Sequence, residues 1–278
     1  MEDAPAPATE TPDTTPDHAS GIIISIANQK GGVGKTTTAV NLATALAAAE
    51  KRVLLIDYDP QGNASTGLGI ESKKRTVNIY DVMTGQVSIQ EAVISTDIPL
   101  LKVIPATVDL SAAEIELVNV SGREYILKQH LNNIQADFDY VLIDCPPSLG
   151  ILTLNALVAS DAVLIPLQCE FYALEGLSHL MKTIQRIKKR LNPTLQLYGV
   201  VLTMYDKRNK LTAQIELDVR QYFGKDVFET VIPRNIKISE APSHGKPAII
   251  YDHRCIGSLA YMHLAREILK RAQVAEMA

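Results

Sequence analysis

Short runs of branched apolar residues, apolar at nearly every position, recur along the chain, and most are followed by segments whose apolar residues fall three or four apart. Gly21 to Ala27 (GIIISIA), Arg52 to Asp59 (RVLLIDYD), Leu100 to Ala106, Tyr140 to Pro146, Ala162 to Gln168 and Tyr198 to Tyr205 form the first set, and Asp226 to Pro233 adds to it. A strand with one wet face alternates apolar with polar residues, whereas one apolar throughout is covered on both faces, as in a parallel sheet. The second set has helical spacing: Thr36 to Ala49, Ser111 to Ile134, Leu149 to Ala159, Leu174 to Leu191, Thr212 to Phe223 and Ile256 to Val274. Strand then helix, repeated, predicts an α/β fold, a doubly wound, mostly parallel sheet with helices on both faces. Such sheets bind ligands beyond the carboxyl ends of their strands, so chemistry is sought just after each apolar run.

Residues 1–20 break the pattern. They hold Glu2, Asp3, Glu10, Asp13 and Asp17, no Lys or Arg, and almost no large apolar side chain. Burial there cannot offset ordering entropy, so a disordered acidic tail is expected ahead of a single domain over 21–278. The tail lacks the basic-then-apolar order of a secretory signal, and no apolar run is long enough to span a membrane. The formal charge of -4 is a property of that tail: without its five acids the remainder carries +1. Net charge therefore neither supports nor excludes a nucleic-acid partner, and local clustering has to decide. Cys145, Cys169 and Cys255 are scattered, without C-x-x-C spacing, and read as reduced thiols of a cytoplasmic protein with packing roles.

Between the first strand and the first helix stands KGGVGKTT, Lys30 to Thr37. Gly31, Gly32 and Gly34, with Val33 between them, let successive backbone N–H groups point into one concavity, to which the helix N-terminus adds its partial positive charge. In the common phosphate loop, G-x-x-x-x-G-K-[ST], Lys35 would reach the β- and γ-phosphates and the Thr36 hydroxyl would ligate Mg²⁺. That pattern would also place glycine at Gln29 and has no use for a second lysine at Lys30. Two later strands end in carboxylates, IDYDPQGN with Asp57 and Asp59, and LIDCPPS with Asp144. Asp144 is the candidate magnesium-linked carboxylate, and Asp59, followed by a turn, is placed to orient an attacking water.

With these motifs, the stretches VIPATVDLSAAEIEL, IPLQCEFYALEGLSHL, VLTMYDKR and VIPRNIKISEAPSHGKPAIIYD resemble the ParA/MinD branch of P-loop ATPases, whose deviant Walker A motif reads K-G-G-x-G-K-[ST]. Within that branch the chain is similar to chromosomal, Soj-type ParA proteins from about Gly21 to near its end. The resemblance implies a MinD-like P-loop fold and a slow Mg²⁺-dependent ATPase that dimerises on ATP. It explains the second lysine: Lys30 is the signature lysine, which reaches across a nucleotide-sandwich homodimer to the phosphates of the other subunit. Gly31 lies where the two loops approach, Thr37 matches an α-phosphate contact, and Pro233 falls in the adenine-side segment. Asp59 and Asp144 match the water-positioning and magnesium-linked aspartates. The resemblance further implies non-specific duplex DNA binding by the ATP dimer, stimulation of hydrolysis by DNA and a ParB-like centromere-binding partner, and a nucleoid-associated role in chromosome or plasmid partition.

Basic residues cluster at Lys182, Arg186, Lys188, Lys189 and Arg190, at Lys207, Arg208 and Lys210, and at Arg234, Lys237 and Arg254. Arg208, Arg234 and Arg254 are the expected DNA contacts, because they lie in the ParA-like stretches, whereas cations late in a helix also serve its dipole. Three rival readings share the loop. A MinD-like membrane switch should end in a basic amphipathic helix with large apolar side chains, but YMHLAREILKRAQVAEMA ends in small residues and an acid, so no membrane partner is expected. An iron–sulfur reductase would present cysteines at a dimer interface, and an ATP-dependent ligase would need a dedicated substrate pocket that the sequence does not reveal.

Overall fold

A computed structural model describes residues 21–276; the expected tail, residues 1–20, lies outside the described residues. The strands are β1 (Ile22–Ile26), β2 (Val53–Asp57), β3 (Ile94–Ser95), β4 (Leu101–Ile104), β5 (Tyr140–Asp144), β6 (Ala162–Gln168), β7 (Gln196–Tyr205) and β8 (Val227–Pro233). They form one sheet in the order β3-β4-β2-β5-β1-β6-β7-β8, parallel except for the edge pair β3–β4. Each apolar run read from the sequence is a parallel strand, most of them trimmed by one or two residues, whereas β7 begins two residues before the run at Tyr198.

Successive residues within a strand enter different cores, which is why the runs do not alternate. Leu54 and Ile56 face one apolar layer while Val53 and Leu55 face the other. The first layer is covered by α4 (Leu110–Glu116), α5 (Ile126–Leu131), α6 (Ile151–Ala159), α7 (Ala173–Arg190) and α8 (Lys210–Phe223), numbered after α1 (Lys35–Ala48), α2 (Asn63–Gly67) and α3 (Ile79–Met83). The second layer is closed mainly by α1 and by α11 (Ile256–Glu276), which follows α9 (Ile236–Glu240) and α10 (Ala248–Tyr251). Tyr261, Leu264, Ala265 and Ile268 of α11 are buried, so this last helix faces the core. Among the described residues no helix is long and apolar enough to cross a membrane.

One expected element is not there. Ser111 to Ile134 is broken into α4, two 3₁₀ turns and α5, because Val120 turns extended and Gly122 adopts φ 70°. The break turns the chain so that α5 packs beside α6, where the Asn155 carboxamide accepts from the Leu127 N–H at the start of α5 (3.2 Å).

Order along the sheet fixes where the site lies. β1 sits between β5 and β6, with β2 next beyond β5, so the loops leaving β1, β2 and β5 converge at one crevice. Asp57 and Asp144 stand opposite one another in the β2–β5 register, and Ile26 is opposite Asp144 in β1–β5.

Candidate active site

The loop from Lys30 to Lys35 runs directly into α1, with Gly32 at φ 75° and Gly34 at φ 90°, conformations that side chains rarely adopt. Its course is fixed from outside. Buried Asn28 donates to the Pro166 carbonyl (2.8 Å) and accepts from the Lys30 N–H (3.0 Å), and the Thr203 hydroxyl at the end of β7 donates to the Val33 carbonyl (2.7 Å). Lys35 is buried, and its Nζ donates to the Lys30 carbonyl at 3.1 Å, curling back over the loop. Burial lowers the Lys35 pKa, opposed by the nearby Asp144 carboxylate and, more weakly, by Asp59. Lys30 points the other way and pairs with Glu170 just past β6, both side chains about half exposed. Gly31 has open space where a Cβ would stand.

The three carboxylates have three environments. Asp144 is fully buried and neither oxygen meets the geometry of a hydrogen bond. Burial, then the Asp57 charge, drives its pKa well above the usual carboxylate range, eased slightly by the nearby Thr36 hydroxyl and Lys35. Asp57 is equally buried but satisfied, accepting from the Ser65 N–H (2.7 Å) and hydroxyl (2.6 Å); burial still pushes it up to about 6. Asp59, 8% exposed at the rim, accepts from the Gln61 N–H (3.0 Å) in the turn that follows.

Sequence reasoning missed what holds Asp59 in place. Buried Arg75 donates to the carbonyls of Ile70 (2.7 Å), Gly62 (3.1 Å) and Ala106 (3.3 Å) and to the Thr66 hydroxyl (2.7 Å), clamping the segment after Asp59. Gly62 adopts φ 63°, and a Cβ there would lie 2.4 Å from an Arg75 nitrogen and 2.9 Å from the Ala106 oxygen. A cluster of one arginine against three carbonyls has no linear motif, so only the fold discloses it.

Thr37 and Pro233, far apart in sequence, line one cavity of about 360 Å³ with Gly34, Thr203, Met204 and Asn235. Arg208 and Arg234 line a neighbouring groove with Ile256 and Leu259, and Arg254 is exposed two residues before that helix. Arg208 is held by a two-point ion pair with Asp206, both contacts 2.9 Å. The cluster from Lys182 to Arg190 runs along α7, which leaves the site end of β6, so Lys188, Lys189 and Arg190 lie toward the opposite, amino end of the strands, where they complement the helix dipole. Cys145 and Cys169 are buried, and burial pushes both thiols up to about 12, which argues against a cluster shared across an interface.

A buried carboxylate with two free oxygens beside a threonine hydroxyl is a hard-oxygen pair lacking a partner, and Mg²⁺ characteristically takes few protein ligands alongside phosphate oxygens. Thr36 and Asp144 fit that ion.

An AAA-domain family model matches residues 21–197. The chain is 58% identical over 251 residues to the chromosome partitioning protein ParA of Caulobacter vibrioides, covering 90% of this chain and 94% of that one. It is 53% identical over 248 residues to the sporulation initiation inhibitor protein Soj of Bacillus subtilis, covering 89% and 98%. Among solved structures it resembles cobyrinic acid a,c-diamide synthase from Mycobacterium smegmatis with bound ADP and magnesium, at TM-score 0.79 and 38% identity over 91% of this chain and 96% of that one.

Proposed function

The chain belongs to the ParA/Soj family of chromosome-partitioning ATPases, and from that premise we propose that it is an ATP-dependent dimerising switch that binds duplex DNA without sequence preference and works with a ParB-like centromere-binding partner. The observation that carries this reading is the buried, unpartnered Asp144 carboxylate beside Thr36 and Lys35, at the mouth of a phosphate loop that also displays a second lysine. The higher identity to partition proteins than to the diamide synthase favours partition over ligase chemistry.

In this mechanism the backbone N–H groups of residues 31–35 and the Lys35 ammonium bind the phosphates, while Thr37 and Pro233 flank the rest of the nucleotide. Thr36 and Asp144 would hold Mg²⁺, which would supply positive charge to offset that of the bound phosphates. Asp59, fixed by its turn, orients the attacking water. Lys30 leaves Glu170 and reaches the phosphates of a second copy, supplying cationic stabilisation only in the dimer, as an arginine finger does. The surface supports a partner at this end: Val108, Leu149, Phe171 and Tyr172, each just past the carboxyl end of a strand, are exposed. Dimerisation doubles the rim carrying Arg208, Arg234 and Arg254, which suits a cytoplasmic protein that holds the nucleoid in one nucleotide state only.

Duplex binding measured with ATP, with ADP and without nucleotide tests the reading, with light scattering on the same samples. Binding confined to the ATP dimer is expected. Nucleotide-independent DNA binding, or liposome pelleting in place of DNA binding, would sink it.

A further inference from the structure

Two adjoining hollows run along the free edge of the sheet between β8 and α11, sharing Thr230 and His263. The upper one, about 820 Å³, carries Lys207, Arg208 and Arg234 over an apolar floor that includes Ile256 and Leu259. The lower one, about 910 Å³, carries Arg220, Lys225, Arg266, Lys270 and Arg271. Against these eight cations the lining holds only Asp206, Glu229 and Glu267, a net of +5. Residues 21–278 carry +1 in all, so this groove concentrates the positive charge of the whole body. Ion pairs with Asp206, Glu216 and Glu267 occupy Arg208, Arg220 and Arg271, but Lys207, Lys225, Arg234, Arg266 and Lys270 have no ion pair among the described residues.

We propose that this groove is the docking site of the chain's own first twenty residues. Their five acids equal the groove's +5 in number and are opposite to it in sign. Reach is ample. Gly21 enters β1 at the amino end of the strands, the end where the lower hollow meets the start of β8. β8 lies three strands from β1, about 14 Å away, and is itself about 23 Å long. Twenty residues span up to roughly 66 Å. Asp17, Asp13 and Glu10 then meet Lys225, Arg266 and Lys270, the small apolar run Ala4 to Ala8 meets the floor at Ile256 and Leu259, and Glu2 and Asp3 meet Arg234. Recognition is by charge and not by strand addition, because the Glu267 carboxylate already takes the Glu229 N–H (2.9 Å) and Thr230 N–H (3.1 Å) on that edge. Each exposed pair is weak, but a tether gives a local concentration on the order of millimolar. On the reading that Arg208 and Arg234 contact DNA, the tail is an internal competitor with duplex.

Carbodiimide coupling of carboxylates to lysines in the full-length protein, with ¹⁴N and ¹⁵N chains mixed, tests the contact without DNA. Amide bonds from Glu10, Asp13 and Asp17 to Lys225 and Lys270, and from Glu2 and Asp3 to Lys207, within one chain are expected, and should fade at high salt. Coupling spread evenly to exposed lysines elsewhere, such as Lys74 and Lys188, or found only between chains, overturns the proposal. A second full-length variant, Glu2→Gln, Asp3→Asn, Glu10→Gln, Asp13→Asn and Asp17→Asn, leaves the described fold untouched; its ATP form should bind duplex on the order of tenfold more tightly at low salt. Equal affinity would refute the competition, whereas absence of DNA binding in both proteins would refute the DNA reading, and the cross-links would still decide whether the tail docks.

Discussion

A carboxylate's job in this site is set by what surrounds it, as the contrast between Asp57 and Asp144 shows. Asp57 is raised to about 6, so the fold favours its neutral form. Its stabilising effect is complete below the unfolded value near 3.9 and is lost as pH rises through 6, a change of ~3 kcal/mol for two units. Thermal melts of the parent and Asp57→Asn from pH 4.5 to 7 should show the variant's stability falling less with rising pH. A parallel pair of curves would mean that Asp57 does not titrate there. Gly31 supplies a different test. Among the described residues nothing lies within 4 Å of a Cβ at that position, so Gly31→Val should melt within about 1 kcal/mol of the parent and still bind ATP, yet stay monomeric by light scattering. A dimer would show that the loops do not meet. Lys35, Thr36, Asp59 and Asp144 were legible because a glycine loop and strand tips are linear signals. Asn28 and Arg75 were not, since each acts through carbonyls or backbone groups from distant elements that only folding assembles.

Elements end where side chains or backbone strain end them, and α1 ends by the Schellman arrangement: Glu50 N–H to the Ala47 carbonyl (3.0 Å) and Lys51 N–H to the Leu46 carbonyl (3.1 Å). Glycine is usual at the position Glu50 fills, at φ 61°, and a side chain there costs roughly 1–2 kcal/mol. Glu50→Gly should therefore stabilise the protein by about 1 kcal/mol, raising the melting temperature by roughly 2–4 °C; an unchanged or lower midpoint in calorimetry would contradict this. The strands were readable because both faces are buried and the runs are long. The β3 edge pair was not, being two residues stabilised chiefly by pairing with β4. Helix spacing across Ser111 to Ile134 was misleading because the apolar residues on either side of Gly122 feed the same core layer from separate short helices, and periodicity does not register a turn between them.

At the scale of the whole molecule, the proposed switch has to turn nucleotide state into DNA affinity with few cations per subunit. Arg208 enters that balance already engaged, held by Asp206, whose pKa is lowered to about 2, chiefly by that side-chain hydrogen bond. If Arg208 contacts DNA as proposed, a phosphate has to displace Asp206 to use it, and the ion pair then lowers affinity for DNA without touching the nucleotide site. Removing the competitor and removing the cation should then act in opposite directions. Asp206→Asn in the ATP dimer should bind duplex more tightly, and Arg208→Ala more weakly. Each phosphate contact contributes about -0.9 to the slope of log affinity against log salt, so loss of Arg208 from both subunits should flatten that slope by up to about two units. The shifts should be alike on unrelated duplexes, because phosphate contacts carry no base information. Hydrolysis without DNA should survive both changes, since neither side chain lines the cavity with Thr37 and Gly34 or touches the phosphate loop. Anisotropy titrations across salt decide the matter: if Asp206→Asn weakens binding as Arg208→Ala does, the pair shapes the loop and Arg208 is not a phosphate contact.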